Sequence, residues 1–234
     1  MLTIGLIGGM SWESSAHYYR LINQRVRASL GGTHSAKIVM VSVDFAAIEQ
    51  LQHDGDWPAL GEAMADAARQ AERGAADFLL LCTNTMHKLV PEIEAAVTIP
   101  LLHIVDPAAA AIRGRGYARV GLLGTAFTME ERFYRARLEG FGIEVLVPDA
   151  DDRRTVHDII YRELVRGVID DASRDAYRGV IARLVARGAE GIVLGCTEIM
   201  LLVGPGDSAV PLFDTTTLHA ESAVDRALDG VARA

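Results

Sequence analysis

The sequence predicts an α/β fold of two pseudo-symmetric domains, each a four-stranded parallel sheet flanked by helices. Three observations predict it. Short apolar runs alternate with amphipathic stretches along the whole chain. The strand candidates fall into two sets that match in order as well as number. Two stretches are near-copies: Arg73-Gly74-Ala75-Ala76-Asp77-Phe78-Leu79-Leu80-Leu81-Cys82-Thr83-Asn84-Thr85-Met86-His87 and Arg187-Gly188-Ala189-Glu190-Gly191-Ile192-Val193-Leu194-Gly195-Cys196-Thr197-Glu198. Each opens as a helix end marked by Gly, continues as an apolar strand and breaks off in small polar residues.

The first set of strands is predicted near residues 2–7, 38–43, 78–83 and 101–105. The second is predicted near 120–123, 144–146, 191–196 and 210–213. Amphipathic spacing predicts helices near 14–29, 57–73, 128–140, 152–166 and 173–187. Local likenesses reinforce the repeat. Gly5-Leu6-Ile7-Gly8-Gly9 resembles Gly121-Leu122-Leu123-Gly124-Thr125, and Pro100-Leu101-Leu102 resembles Pro211-Leu212-Phe213. The expected division is residues 1–105 plus 214–234 for one domain and 106–213 for the other. Residues 106–115 would cross between them, and a last helix near 217–231 would return to pack on the first.

Composition narrows the function. The chain has 234 residues, half of them hydrophobic, and a net charge of −8 without any Lys/Arg-rich block, so nothing favours nucleic acid. No apolar run reaches a membrane span, and the first residues read as a strand rather than a leader, so a cytoplasmic protein is expected. Two cysteines argue for reduced thiols. The histidines show no ligand spacing, so no metal is expected. Gly5, Gly8 and Gly9 match neither a dinucleotide nor a phosphate-loop pattern, and read as a tight strand-to-helix turn.

In open α/β sheets, ligands bind beyond the carboxyl ends of the strands. Both copied stretches place a Cys near such an end. A thiolate there can act as base or nucleophile if cations or N–H groups lower its pKa. Aligning Arg-Gly-Ala pairs Cys82 with Cys196; aligning Asp77 with Glu190 pairs Thr83 with Cys196. The second alignment is preferred, because the first half carries an extra Ala before its strand. Neighbouring strand residues point to opposite faces, so Cys82 would then face a helix.

With these residues in view, the chain resembles the cofactor-independent aspartate/glutamate racemases over essentially its whole length. The resemblance rests on Gly8-Gly9-Met10, Asn84-Thr85-Met86-His87 and Gly195-Cys196-Thr197-Glu198. It implies an active site in an interdomain cleft and two-base racemisation without pyridoxal phosphate or any other cofactor. Only Lys37 and Lys88 could form a Schiff base, which agrees. The family motif C-N-T-x-H has Thr83 at its Cys position here. The chain looks most like a subgroup with that Thr and activity on L-aspartate and L-glutamate. The implied roles are Cys196 as base on the L face and Thr83 on the opposite face, directly or through water. Asn84, Thr85, Thr125, Thr128, Thr197 and Arg166 would bind the substrate. Met10 would line the cleft, and Gln52 would meet the distal group in place of a family Arg. His87 and Glu198 would tune the thiolate or touch the substrate amine, or His87 would cap the next helix. A homodimer is carried over from the family. The alternatives are a related maleate isomerase or arylmalonate decarboxylase, and a non-catalytic dicarboxylate-binding protein.

Overall fold

The computed structural model describes residues 1–231; positions 232–234 of the expected first domain lie outside the described residues. The chain divides into two compact units, Met1–Ile104 with His219–Ala234, and Val105–Leu218.

In the first unit, β1 (Thr3–Gly8), β2 (Lys37–Ser42), β3 (Phe78–Leu81) and β4 (Leu101–Leu102) form a parallel sheet in the order β2-β1-β3-β4. Between them run α1 (Trp12–Leu30), α2 (Phe45–Asp54), α3 (Trp57–Arg73) and α4 (Val90–Ala96). In the second unit, α5 (Val105–Gly114) precedes β5 (Arg119–Gly124), α6 (Ala126–Glu130), α7 (Arg132–Gly140) and β6 (Glu144–Leu146). Then come α8 (Ala150–Arg162), α9 (Asp171–Ala186), β7 (Ile192–Gly195), α10 (Ile199–Leu202) and β8 (Leu212–Asp214); α11 (Thr215–Ala227) starts in this unit and belongs to the first from His219 onward. The second sheet has the order β6-β5-β7-β8, all parallel, repeating the first.

Helix starts follow from side-chain caps. The Ser11 hydroxyl accepts from Ser14 N–H, so α1 begins two residues before its predicted start. Asp56, Asp149 and Asp170 cap α3, α8 and α9 in the same way. Each such cap stabilises its helix by about 1 kcal/mol. The predicted helix over 128–140 is in fact two. Glu131 has extended φ/ψ (−77°, 156°) and serves as C-cap of α6 and N-cap of α7. The predicted helix over 152–166 likewise ends at Arg162, and Leu164–Arg166 is a separate 3-10 turn closed by Gly167 in the left-handed region. The stretch expected to cross between domains is helix α5. Asp106 in its first turn holds Arg137 of α7 by a two-point fork at 2.6 and 2.7 Å.

Alternation along β3 sorts its residues to two cores. Leu79 and Leu81 pack with Ile48, Met64 and Ala68 on the α3 side. Phe78, Leu80 and Cys82 pack with Ile4, Tyr18, Ile22 and Val224 of α11. Each fully buried aliphatic side chain here contributes roughly 1.5–3 kcal/mol. In the second unit Ile192, Leu194 and Cys196 share one cluster with Val156, Tyr177 and Ile181.

Candidate functional site

The pairing registers decide which residues are equivalent in the two repeats. Gly5 pairs with Leu79, and Gly121 pairs with Ile192. Since Gly5 and Gly121 hold corresponding places, Leu81 corresponds to Leu194 and Thr83 to Cys196. The acidic residues before each strand agree. Asp77 N–H donates to Thr3 C=O and Glu190 N–H to Arg119 C=O, while each side chain accepts from the same partner's N–H. Cys82 is one residue out of this phase. Its sulfur is wholly buried in an apolar core, which pushes its thiol pKa far up.

Cys196 lies just past the end of β7. It follows Gly195, where a Cβ would stand 2.8 Å from Leu122 Cδ1 and 2.9 Å from the Leu123 carbonyl. Only glycine permits that approach of β7 to β5. Cys196 is 8% exposed, and its Sγ–H donates to Glu198 Oε2 at 3.0 Å. The Thr197 hydroxyl donates to the same oxygen at 2.9 Å. Glu198 is itself buried, so these donors satisfy a carboxylate withdrawn from water.

Burial first, then the Glu198 charge and its hydrogen bond, raise the Cys196 pKa well above the ordinary thiol value. Backbone N–H groups of Glu198 and Thr197 pull it down, but less. Of the two pKa-lowering influences the sequence reading names, cations and N–H groups, the N–H groups act on Cys196, and burial and Glu198 outweigh them. The resting residue is a thiol with a proton acceptor in contact and two N–H groups ready for the anion. Tyr177, unremarked in the sequence, belongs to this environment. Its phenol donates to Val156 C=O at 3.2 Å, and burial followed by the charges of Cys196, Glu163 and Glu198 hold its pKa high.

Thr125 and Thr128 follow β5, the strand beside β7. Both are buried; Thr125 Oγ1 accepts from Thr128 N–H at 3.3 Å and so caps α6. Arg166 is exposed at the end of its 3-10 turn, and its guanidinium makes no ion pair among the described residues.

In the first unit, Thr83, Asn84 and Thr85 are buried at the turn after β3. The Thr83 hydroxyl makes no hydrogen bond among the described residues. His87 donates from Nδ1 to the Thr83 carbonyl at 2.7 Å, and its Nε2 accepts from Ile104 N–H at 3.1 Å. Both ring nitrogens therefore serve the main chain, which corrects the expectation that His87 tunes a thiolate or caps a helix. Met10 is 5% exposed and packs with Ile7, Ile48 and Met64. Gln52 lies on α2, a helix the sequence reading missed, and its amide donates to Met86 Sδ at 3.2 Å.

Among the described residues no group of His, Cys, Asp and Glu could hold a metal, and no helix is long and apolar enough to cross a membrane. A thiol, a touching carboxylate and N–H donors at a strand end can together take up and pass on a proton.

Comparison with known proteins gives the same direction. The Asp/Glu/hydantoin racemase family profile matches residues 7–223. The broad specificity amino-acid racemase RacX of Bacillus subtilis is 24% identical over 226 residues, covering 94% of this chain and 96% of that one. The crystal structure of a candidate Asp/Glu racemase from Yersinia pestis is 55% identical, with a TM-score of 0.90 over 97% of this chain and 100% of the other. An aspartate racemase homologue from Pyrococcus horikoshii is 31% identical, with a TM-score of 0.83 over 97% and 99%.

Proposed function

The chain belongs to the Asp/Glu/hydantoin racemase family, a family of isomerases, and on that premise we propose that it racemises L-aspartate and L-glutamate with a single thiol. The observation that carries this is the Cys196–Glu198 contact at the end of β7, with Thr83 in the corresponding place of the other repeat.

The chemistry follows from that pair. The Cys196 proton passes to Glu198 Oε2, leaving a thiolate steadied by the Thr197 and Glu198 N–H groups. The thiolate takes the α-proton of the L-substrate. The electron pair left on the α-carbon spreads into the substrate carboxylate, and donors aimed at that charge lower the barrier. Asn84, Thr85, Thr125, Thr128 and Thr197 fit this task by type and place, and Arg166 supplies a fork for a second carboxylate. A proton then arrives on the opposite face from water or the Thr83 hydroxyl, giving the D-enantiomer, and the proton held by Glu198 passes through solvent to the donor that lost one. The Thr83 hydroxyl is too weak an acid and base to equal a thiol, so that half of the reaction is the slower. No cofactor is required by this sequence of steps. We further propose a cytoplasmic homodimer.

Chiral chromatography tests the reading. The purified protein is incubated with each enantiomer of aspartate and of glutamate. Interconversion that Cys196→Ala abolishes supports it. Tight binding without interconversion makes the protein a dicarboxylate binder instead. The single strand-end thiol also suits a decarboxylase of related fold, and release of carbon dioxide from an arylmalonate would identify that activity.

A further inference from the structure

We infer that His87 is a positioning residue for Thr83: it fixes the turn that presents the opposite-face hydroxyl, and takes no proton itself. This rests on the racemase reading above.

The backbone ladder gives out where Thr83 begins. Cys82 N–H donates to Ile7 C=O, and beyond it β3 has no further strand pairing; β3 and β4 stop pairing at Leu80 and Leu102. Thr83 is 7% exposed, so an unpaired carbonyl there would cost about 1–3 kcal/mol. His87 Nδ1–H fills that need at 2.7 Å, four residues along the 3-10 turn Thr85–Leu89. On its other side, Ile104 N–H points at Nε2. An amide N–H can only donate. Nε2 must therefore be bare and the ring proton must sit on Nδ1. Adding a second proton would set N–H against N–H and break the Ile104 bond.

A second histidine does the same work beside it. His219 Nε2–H donates to Leu102 C=O at 2.8 Å, and its Nδ1 accepts from the Tyr18 hydroxyl at 2.9 Å. The His103 ring lies 4.5 Å from that of His87. Leu102 of β4 and Ile104 just beyond it are thus held by imidazoles where the β3–β4 pairing ends. The Thr83 hydroxyl has no bond of its own among the described residues, so its direction depends on the main chain that His87 holds.

Face-resolved proton exchange tests the role. In heavy water, α-deuteration of L-aspartate reports the Cys196 side and that of D-aspartate the Thr83 side. His87→Phe is expected to slow D-aspartate exchange at least tenfold while L-aspartate exchange stays within about threefold. His87→Gln carries a donor and an acceptor, and is expected to restore D-aspartate exchange to within about threefold of the wild type. Equal loss on both faces, or no rescue by Gln, overturns the inference. If the wild type exchanges neither enantiomer, the racemase reading fails separately, and nitrogen-15 spectra of the histidines judge the clamp. A neutral Nδ1–H ring that does not titrate between pH 5 and 8 supports it. An Nε2–H ring, or titration near the ordinary histidine value of about 6.5, overturns it.

Discussion

Cys196 Sγ and Glu198 Oε2 stand 3.0 Å apart, a buried thiol donating to a buried carboxylate two residues along the chain. The contact raises the thiol's pKa and also gives its proton somewhere to go. Both effects can be separated by removing the charge and keeping the shape.

Glu198→Gln does that. Without the carboxylate, the largest raising cause after burial is gone, so the Cys196 pKa should fall. The rate of alkylation by iodoacetamide should then rise at a lower pH than in the wild type. Racemisation should nevertheless drop, by about a hundredfold if the carboxylate is the acceptor of the thiol proton. An unchanged alkylation profile, or full activity in the Gln variant, would count against the pairing.

Burial of thiols also sets a pH dependence of stability. The Cys82 pKa is raised in the folded state, so the fold holds that proton more tightly than the unfolded chain does. The resulting stabilisation is complete below the unfolded value of roughly 8.5 and is lost as pH rises above it, toward the folded pKa. The slope is about 1.4 kcal/mol per pH unit for each such group. Urea midpoints should fall between pH 8 and 10.5, and Cys82→Ala should flatten that fall. A midpoint constant across this range in the wild type contradicts the buried thiols.

Tyr134 offers a test in the opposite sense. Its ring is fully buried in the second unit, and its hydroxyl has no hydrogen-bond partner among the described residues. Such a group costs about 1–3 kcal/mol. Tyr134→Phe should therefore raise the urea midpoint, with a gain of roughly 1 kcal/mol. A loss of stability would mean that the hydroxyl is satisfied.

Much of this was legible in the chain. Apolar runs located the strands of the described residues, most plainly the central β1, β3, β5 and β7, whose burial on both faces leaves continuous hydrophobic stretches. The Asp77–Glu190 correspondence that pairs Thr83 with Cys196 reappears in the hydrogen bonds those side chains make to Thr3 and Arg119. What escaped was local. Glu131 breaks a helix with neither Gly nor Pro to announce it, and no helix is predicted over α2 although Asp44 and Gly55 cap it. The need for glycine at position 9 shows only in the packing. Gly9 has φ +95° and stands where a Cβ would lie 2.2 Å from the Val43 carbonyl. The Cys196–Glu198 contact sits within a single turn, where spacing patterns are silent.

The unequal pair of Thr83 and Cys196 implies one kinetic asymmetry above all. A sulfur on one face should remove and return the α-proton of L-aspartate many times before the weaker face completes an inversion. The decisive measurement follows L-aspartate in heavy water, with deuterium at the α-carbon read by NMR and D-aspartate read by chiral chromatography in the same samples. Deuterated L-aspartate should accumulate well ahead of D-aspartate, and Thr83→Cys should narrow the gap. Deuterium appearing only as fast as the D-enantiomer in the wild type would contradict a one-thiol racemase.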